Sequence, residues 1–242
     1  MQHEDATLPV ARRSFLSRVT AGLAAFGAGL GAASSTFAAS SPRSTQSPSP
    51  GRWQPARHAE DDWLDKIPGK HRMILDAVSA QGVGDALHFA ANIYETSTSG
   101  YGLRDTDVAV VICLRHAATA FGLNDAMWAK YGPQISQRAK FTDPKSHGPA
   151  IVNVFNSTEY RGLLSNGPTT FDALIKQGIH FAVCAHATEG IAASLTQKGE
   201  GNADATYKEL TSNLIGNSHM VPAGIVAVGH AQERGYAYAY CG

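Results

Sequence analysis

The run Val108–Leu114 constrains the fold of this chain more than any other stretch, because all seven of its residues are apolar. A strand with one face in solvent alternates apolar and polar residues, and this run does not alternate. We therefore expect a central strand of a parallel sheet, covered on both faces. The repeated strand and helix patterns around it predict a single doubly wound, mostly parallel α/β sheet with helices on both faces. Further core strands are expected at 71–76, 179–184 and 236–240, with a brief strand at 220–221.

The composition suits one globular domain with additional segments. Of the 242 residues, 43% are hydrophobic, and 20 basic side chains balance 20 acidic ones. This balance gives no reason to expect nucleic acid as a partner. The three cysteines are too few for a disulfide scaffold, and their odd number leaves at least one thiol unpaired in a monomer.

The amino-terminal segment has the features of an export signal. Arg12 and Arg13 precede a weakly apolar, uncharged run over 19–37, and small residues around Ala38 offer a cleavage site. Residues 1–38 therefore resemble a twin-arginine signal peptide, which predicts a periplasmic protein that is handled by the twin-arginine export machinery. A retained membrane anchor is the alternative, but glycines interrupt the apolar run. Residues 39–60 are rich in Ser and Pro and predict a disordered linker, followed by an α/β domain over 61–242.

Polar residues that are capable of chemistry follow two of the expected strands. Strand 179–184 ends at Cys184 and is followed by His186, and Val108–Leu114 is followed by Arg115 and His116. The carboxyl ends of parallel strands meet at one edge of the sheet, so these four side chains are candidate catalytic residues in one crevice. There, a guanidinium or imidazolium favours thiolate over thiol. The alternative is that Cys184 is a small buried core residue.

The expected helices place the candidate thiol close to a helix start. We expect Thr188 to cap the helix after Cys184, with Glu189 in its first turn, where the carboxylate would oppose the thiolate. A helix over 120–131 and a last helix over 223–234, with Pro222 suited to its first position, are also expected. The polar segment 132–168 predicts a lid, a binding loop or an oligomer contact.

Residues 178–184 read GIHFAVC, a strand that ends in a cysteine. Further motifs are VPAGIV at 221–226, GYAY at 235–238, and LRHA at 114–117 with NDAMWAKY at 124–131. Together these motifs resemble the DsrE/DsrF-like family of sulfur-handling proteins, in which a strand like 178–184 ends in a sulfur-accepting cysteine. The resemblance implies a flavodoxin-like sandwich, homo-oligomers, and a persulfide on Cys184. Export would place that thiol in an oxidising compartment, unlike the cytoplasmic carriers of the family.

Three functions remain open from the sequence. Sulfur transfer requires that Cys184 is accessible, partly ionised and able to exchange sulfur with a donor or acceptor protein or small molecule. No CxxC motif is present, which argues against a self-contained dithiol oxidoreductase. A binding protein would instead use Cys184, His186 and His116, with His219 as a further candidate, for a metal or another small ligand. The third is an oligomeric interaction module without catalysis. The cofactor is unknown, although the absence of CxxCH excludes ordinary c-type haem attachment, and the glycine turn at 81–85 lacks the full GxGxxG spacing.

Overall fold

The computed structural model of the chain describes residues 54–197 and 201–242. The expected signal peptide over 1–38 and residues 39–53 of the expected linker lie outside the described residues. Within the described part, no helix is long and apolar enough to cross a membrane.

The core of the fold is a five-stranded sheet in which all neighbouring strands are parallel. The strand order is β4-β3-β2-β1-β5, so β2 is an interior strand, and all seven of its residues are buried. This confirms the fold class that the sequence predicts. The strands are β1 (His71–Ala77), β2 (Val108–Leu114), β3 (His180–Cys184), β4 (Ser218–Val221) and β5 (Ala237–Cys241).

Helices cover both faces of the sheet. Buried side chains of α2, α3, α4 and α5 form one apolar cluster with the first face, and those of α1 and α7 form a second cluster with the opposite face. The helices are α1 (Trp63–Lys66), α2 (Ala80–Tyr101), α3 (Asp125–Ala139), α4 (Phe171–Lys176), α5 (Ala185–Thr196), α6 (Ala203–Thr211) and α7 (Gly224–Glu233).

The topology creates a crevice between the ends of two adjacent strands. After β3 the chain enters α5 on one face, and after β4 it enters α7 on the opposite face, before crossing to β5 beyond β1. Loops that leave neighbouring strands toward opposite faces open the crevice in which doubly wound proteins bind ligands. This crevice lies beside Cys184, the last residue of β3.

Two helix starts differ from the sequence prediction. The expected helix over 120–131 is divided into a 3₁₀ turn, His116–Gly122, and α3, because the Asn124 side chain accepts a hydrogen bond from the Met127 N–H and caps a new helix there. Pro222 does not open the last helix either. Ala223 has an extended backbone and takes the cap position, so α7 begins at Gly224.

The segment 132–168 packs against the core over much of its length. α3 continues through Pro133 to Ala139, and Val154 and Phe155 belong to the larger apolar cluster. The Asn153 amide donates to the backbone oxygens of Phe121 and Leu123. Because these contacts tie the middle of the segment to the core, they argue against a lid in that part, whereas a binding loop or an oligomer contact stays a prediction.

An ordered strap precedes the first strand and lies over the second face. We use "strap" for residues 58–67, which include a 3₁₀ turn, Ala59–Asp61, and α1. Asp61 pairs with His230 of α7 at 2.5 Å, and Trp63 stacks on His219 of β4. His58 stacks on His230, and its backbone oxygen accepts a hydrogen bond from Arg234 at 3.2 Å. The folded domain therefore begins before residue 61, and the last residues of the expected linker are held by contacts that local composition does not encode.

Candidate functional site

The crevice holds a pocket of about 590 Å³ at the carboxyl edge of the sheet. All four residues that the sequence singles out line it: Cys184, His186, Arg115 and His116. The reason is the strand order, since β2 and β3 are neighbours and Leu114 is level with Val183 in the parallel register. The residues that follow these two strands therefore emerge side by side.

Cys184 links the last strand position to the first helical turn. It takes the cap position of α5 with an extended backbone, and its sulfur accepts a hydrogen bond from the Ala187 N–H at 3.4 Å. The prediction that Thr188 caps α5 is wrong, because β3 passes into α5 without a loop. The Thr188 hydroxyl instead donates a hydrogen bond to the Cys184 backbone oxygen at 2.9 Å. Only 6% of Cys184 is exposed although it lines the pocket, so access to the thiol runs through the pocket.

His186 lies at the rim of the pocket, with 87% of its side chain exposed. The strand ends at Cys184, so His186 belongs to the first turn of α5 and does not continue the strand pattern. Its Nδ1 lies 3.6 Å from a carboxylate oxygen of Glu189. Because α5 begins at Ala185, Glu189 lies beyond the first turn of the helix. The prediction that its carboxylate lies in the first turn is therefore wrong.

Arg115 is held in place by a buried carboxylate. Its Nε and Nη2 donate to the two oxygens of Asp76 at 2.7 and 2.9 Å, and the Asp76 side chain has no exposed surface. The Tyr238 hydroxyl donates to the same carboxylate at 3.2 Å. The two hydrogen bonds that Arg115 donates to Asp76 raise the pKa of its guanidinium further above the usual value. Arg115 is thus a permanently charged group in a fixed orientation.

His116 turns the chain away from the sheet immediately after Arg115. Its φ of +55° lies in the left-handed region, which non-glycine residues seldom adopt. The 3₁₀ turn that starts here packs into the core through Ala118 and Phe121. A strained backbone conformation of this kind persists only where the surrounding packing holds it, and such conformations cluster at functional sites.

The sequence prediction missed three residues of the site. The strand patterns predict no role for Asp76 or Tyr238 beyond the sheet, and a single carboxylate near the end of a strand is the one signal that points to Asp76. Arg138, in the last turn of α3, also lines the pocket. Its Nη2 lies 3.3 Å from the point where a Cβ on Gly190 of α5 would sit, so this glycine leaves room for the guanidinium. No local pattern reveals that contact, because it depends on how α3 packs against α5.

The other two cysteines lie in the core and do not line the pocket. Cys113 on β2 places its sulfur 3.5 Å from the Gly224 backbone oxygen, and burial raises the pKa of its thiol far above the usual range. Burial also raises the pKa of Cys241 to about 11. All three cysteines are free thiols. Cys184 is therefore the one cysteine with a route to a ligand in the pocket.

The ligand set considered for a metal does not assemble. His219 does not line the pocket; its ring stacks on Trp63 at 3.9 Å between centroids, and its Nε2 lies 2.9 Å from Nδ1 of His180. Over residues 54–197 and 201–242, no group of three or more His, Cys, Asp or Glu side chains is arranged to hold a metal ion. A metal at this site would have to use other ligands than those predicted.

No model of a known protein family matches the chain, and no curated protein matches it by sequence. The likeness to sulfur-handling proteins therefore stays a prediction that is carried by the motifs.

Proposed function

We propose that the protein transfers sulfur and that Cys184 is the acceptor. In the proposed step, the Cys184 thiolate attacks the outer sulfur of a donor persulfide, R–S–S⁻. A new S–S bond forms at Cys184, the donor's S–S bond breaks, and the donor leaves as the thiolate R–S⁻. The sulfur moves with no net oxidation or reduction, so no further reagent is needed.

One observation carries this proposal: the Cys184 sulfur accepts a helix-terminal N–H in a pocket that Arg115 and two histidines also line. An amide donor at a helix start stabilises negative charge on sulfur, and only the thiolate is nucleophilic. The other two thiols are buried in the core. Since no second thiol lines the pocket, the donor and the final acceptor must be separate molecules, as in the sulfur carriers that the motifs resemble.

The proposal includes export to the periplasm, for which the sequence of residues 1–38 is the support. Arg12→Lys combined with Arg13→Lys should leave the precursor in the cytoplasm, as measured by fractionation and immunoblotting. Unchanged export would contradict this part of the proposal without bearing on Cys184. In an oxidising compartment the thiol would need a reducing or persulfide-supplying partner to stay active.

The function is tested by loading the purified protein with glutathione persulfide and measuring its intact mass. The wild-type protein should gain one sulfur atom, lose it on reduction, and pass it to added cysteine. Cys184→Ser should gain none, and Cys241→Ser, the matched control, should behave as the wild type. If the wild type gains no sulfur, or Cys184→Ser gains as much, sulfur transfer is wrong, and small-ligand binding becomes the leading function.

A further inference from the structure

Arg115, which lines the pocket, retains hydrogen-bond donors that its ion pair does not use. Asp76 engages Nε and Nη2, and no partner for Nη1 is found among the described residues. Because Asp76 fixes the plane of the guanidinium, the direction of Nη1 is fixed as well. A fixed, charged N–H donor in a pocket wall is suited to receive a carboxylate, sulfonate or phosphate oxygen.

A second arginine and two backbone amides add donors to the same pocket. Arg138 also lines the pocket, next to Gly190. The N–H groups of Gly224 and Ile225, which both line the pocket, have no acceptor in the part of the chain that the structure describes, since the cap residue of α7 is an alanine. These amides reinforce the arginines, which carry the full charges.

The carboxylates near the pocket already have partners within the protein. The carboxylate closest to Arg115 is Asp76, which already accepts hydrogen bonds from Arg115 and Tyr238. Glu189, at the rim, is 61% exposed and faces His186. The formal charges of the two arginines and the two acids cancel, so a ligand would be recognised by directed N–H groups and not by net potential.

We infer that the pocket binds the anionic group of the molecule that reacts at Cys184, and that Arg115 receives it with Asp76 as a positioning residue. The inference rests on the proposed function for the reaction itself, whereas the anion preference can be measured without sulfur transfer. The ligand class is a small molecule that carries a carboxylate, sulfonate or phosphate beside its reactive atom.

Two alkylating reagents that differ in one charge provide the test. Iodoacetate carries a carboxylate where iodoacetamide carries a neutral amide, and in both reactions the Cys184 thiolate forms a C–S bond and displaces iodide. The measured quantity is the ratio of the two rates at Cys184, followed by peptide mass spectrometry. In the native protein this iodoacetate-to-iodoacetamide ratio should be about tenfold higher than in the urea-unfolded chain, given one charge-assisted hydrogen bond.

Single arginine variants show whether the rate ratio depends on the two pocket arginines or on the total charge of the protein. Arg115→Gln should bring the ratio close to its value in the unfolded chain. Because this variant leaves Asp76 unpaired, it can fail to fold. Arg138→Gln therefore serves as the second variant and should also lower the ratio. Arg104→Gln is the control, since Arg104 is an exposed arginine that pairs with Asp107 before the start of β2. It should leave the ratio unchanged.

The outcomes distinguish this inference from the proposed function. Equal ratios in native and unfolded protein, with native Cys184 reactive toward iodoacetamide, overturn the anion site and leave sulfur transfer intact. A native Cys184 that is inert to both reagents overturns both. A raised ratio in a protein that cannot be loaded with persulfide supports the anion site and overturns sulfur transfer.

Discussion

Asp76 is the residue on which the geometry of the pocket depends most. Its carboxylate has no exposed surface, so the folded protein must compensate its charge internally. Arg115 provides that compensation through two hydrogen bonds, and Tyr238 adds a third. The same pair therefore stabilises the fold and sets the direction in which Arg115 faces the pocket.

Asp76→Asn should lower the free energy of unfolding by about 3 kcal/mol, because it removes one partner of a buried ion pair. Tyr238→Phe should cost about 1 kcal/mol, since it removes a single hydrogen bond. Urea unfolding followed by circular dichroism measures both. Asp107→Asn, at the pair that Arg104 makes near the surface, is the control and should cost much less. Equal losses for Asp76→Asn and Asp107→Asn would contradict the structural role of Asp76.

At the residue scale, the sequence predicted the polar groups that sit directly at strand ends. Cys184 ends one apolar strand and Arg115 follows another, and parallel strand ends share an edge, so their proximity could be expected. The partners of those groups were harder to predict. Asp76 has an ordinary place in a strand pattern, and Arg138 reaches the pocket only through the packing of α3 on α5.

At the scale of elements, the start of α7 is packed tightly against the site. A Cβ on Gly224 would lie 2.6 Å from the Arg115 Cβ and 3.1 Å from the Cys113 sulfur. Gly224→Ala should therefore displace the start of α7 and cost about 1–3 kcal/mol of stability. A Cβ on Gly229 in the same helix would meet no atom within 4 Å apart from its chain neighbours and the backbone of its own helix, so Gly229→Ala should stabilise the protein by about 0.5–1 kcal/mol.

Thermal unfolding of the two glycine variants checks this prediction. The melting temperature should fall for Gly224→Ala and rise for Gly229→Ala, and iodoacetate should react more slowly with Cys184 only in the first. An equal response of the two variants would show that α7 is not held against Arg115 as described.

The elements themselves were predicted better than their boundaries. Apolar runs such as β2 encode burial locally, and all four expected core strands are present. The start of α5 was misplaced because a cysteine takes the cap position that Ser, Thr, Asn or Asp usually fill. The division before α3 depends on Asn124, whose cap interrupts an otherwise continuous helical pattern.

At the scale of the whole molecule, the strap is attached to the sheet through a pair of histidines. Trp63 of the strap stacks on His219, which in turn contacts His180. Burial, and then the neighbouring His180, lowers the pKa of His219 from 6.5 to about 4, and burial also lowers the pKa of His180. The folded state thus binds these protons more weakly than the unfolded chain does.

Stability from this contact is fully present above pH 6.5 and should be lost as the pH falls from 6.5 toward 4. The free energy of unfolding in urea should therefore decrease between pH 7 and pH 5. His219→Phe keeps an aromatic ring beside Trp63 but cannot be protonated, so its decrease should be smaller than that of the wild type. His71→Gln, at an exposed histidine of β1, is the control. Identical pH profiles for wild type and His219→Phe would refute the role of this pair.

The central claim, that the pocket makes Cys184 the sulfur acceptor, is tested most directly by locating the added sulfur. The protein is treated with glutathione persulfide in native buffer and in urea, alkylated, digested and sequenced by tandem mass spectrometry. We predict that the native protein carries the extra sulfur on Cys184 alone, and that the unfolded chain carries it on Cys113, Cys184 and Cys241. A native Cys184 that stays unmodified until the chain unfolds, or native modification at either other cysteine, would contradict the account.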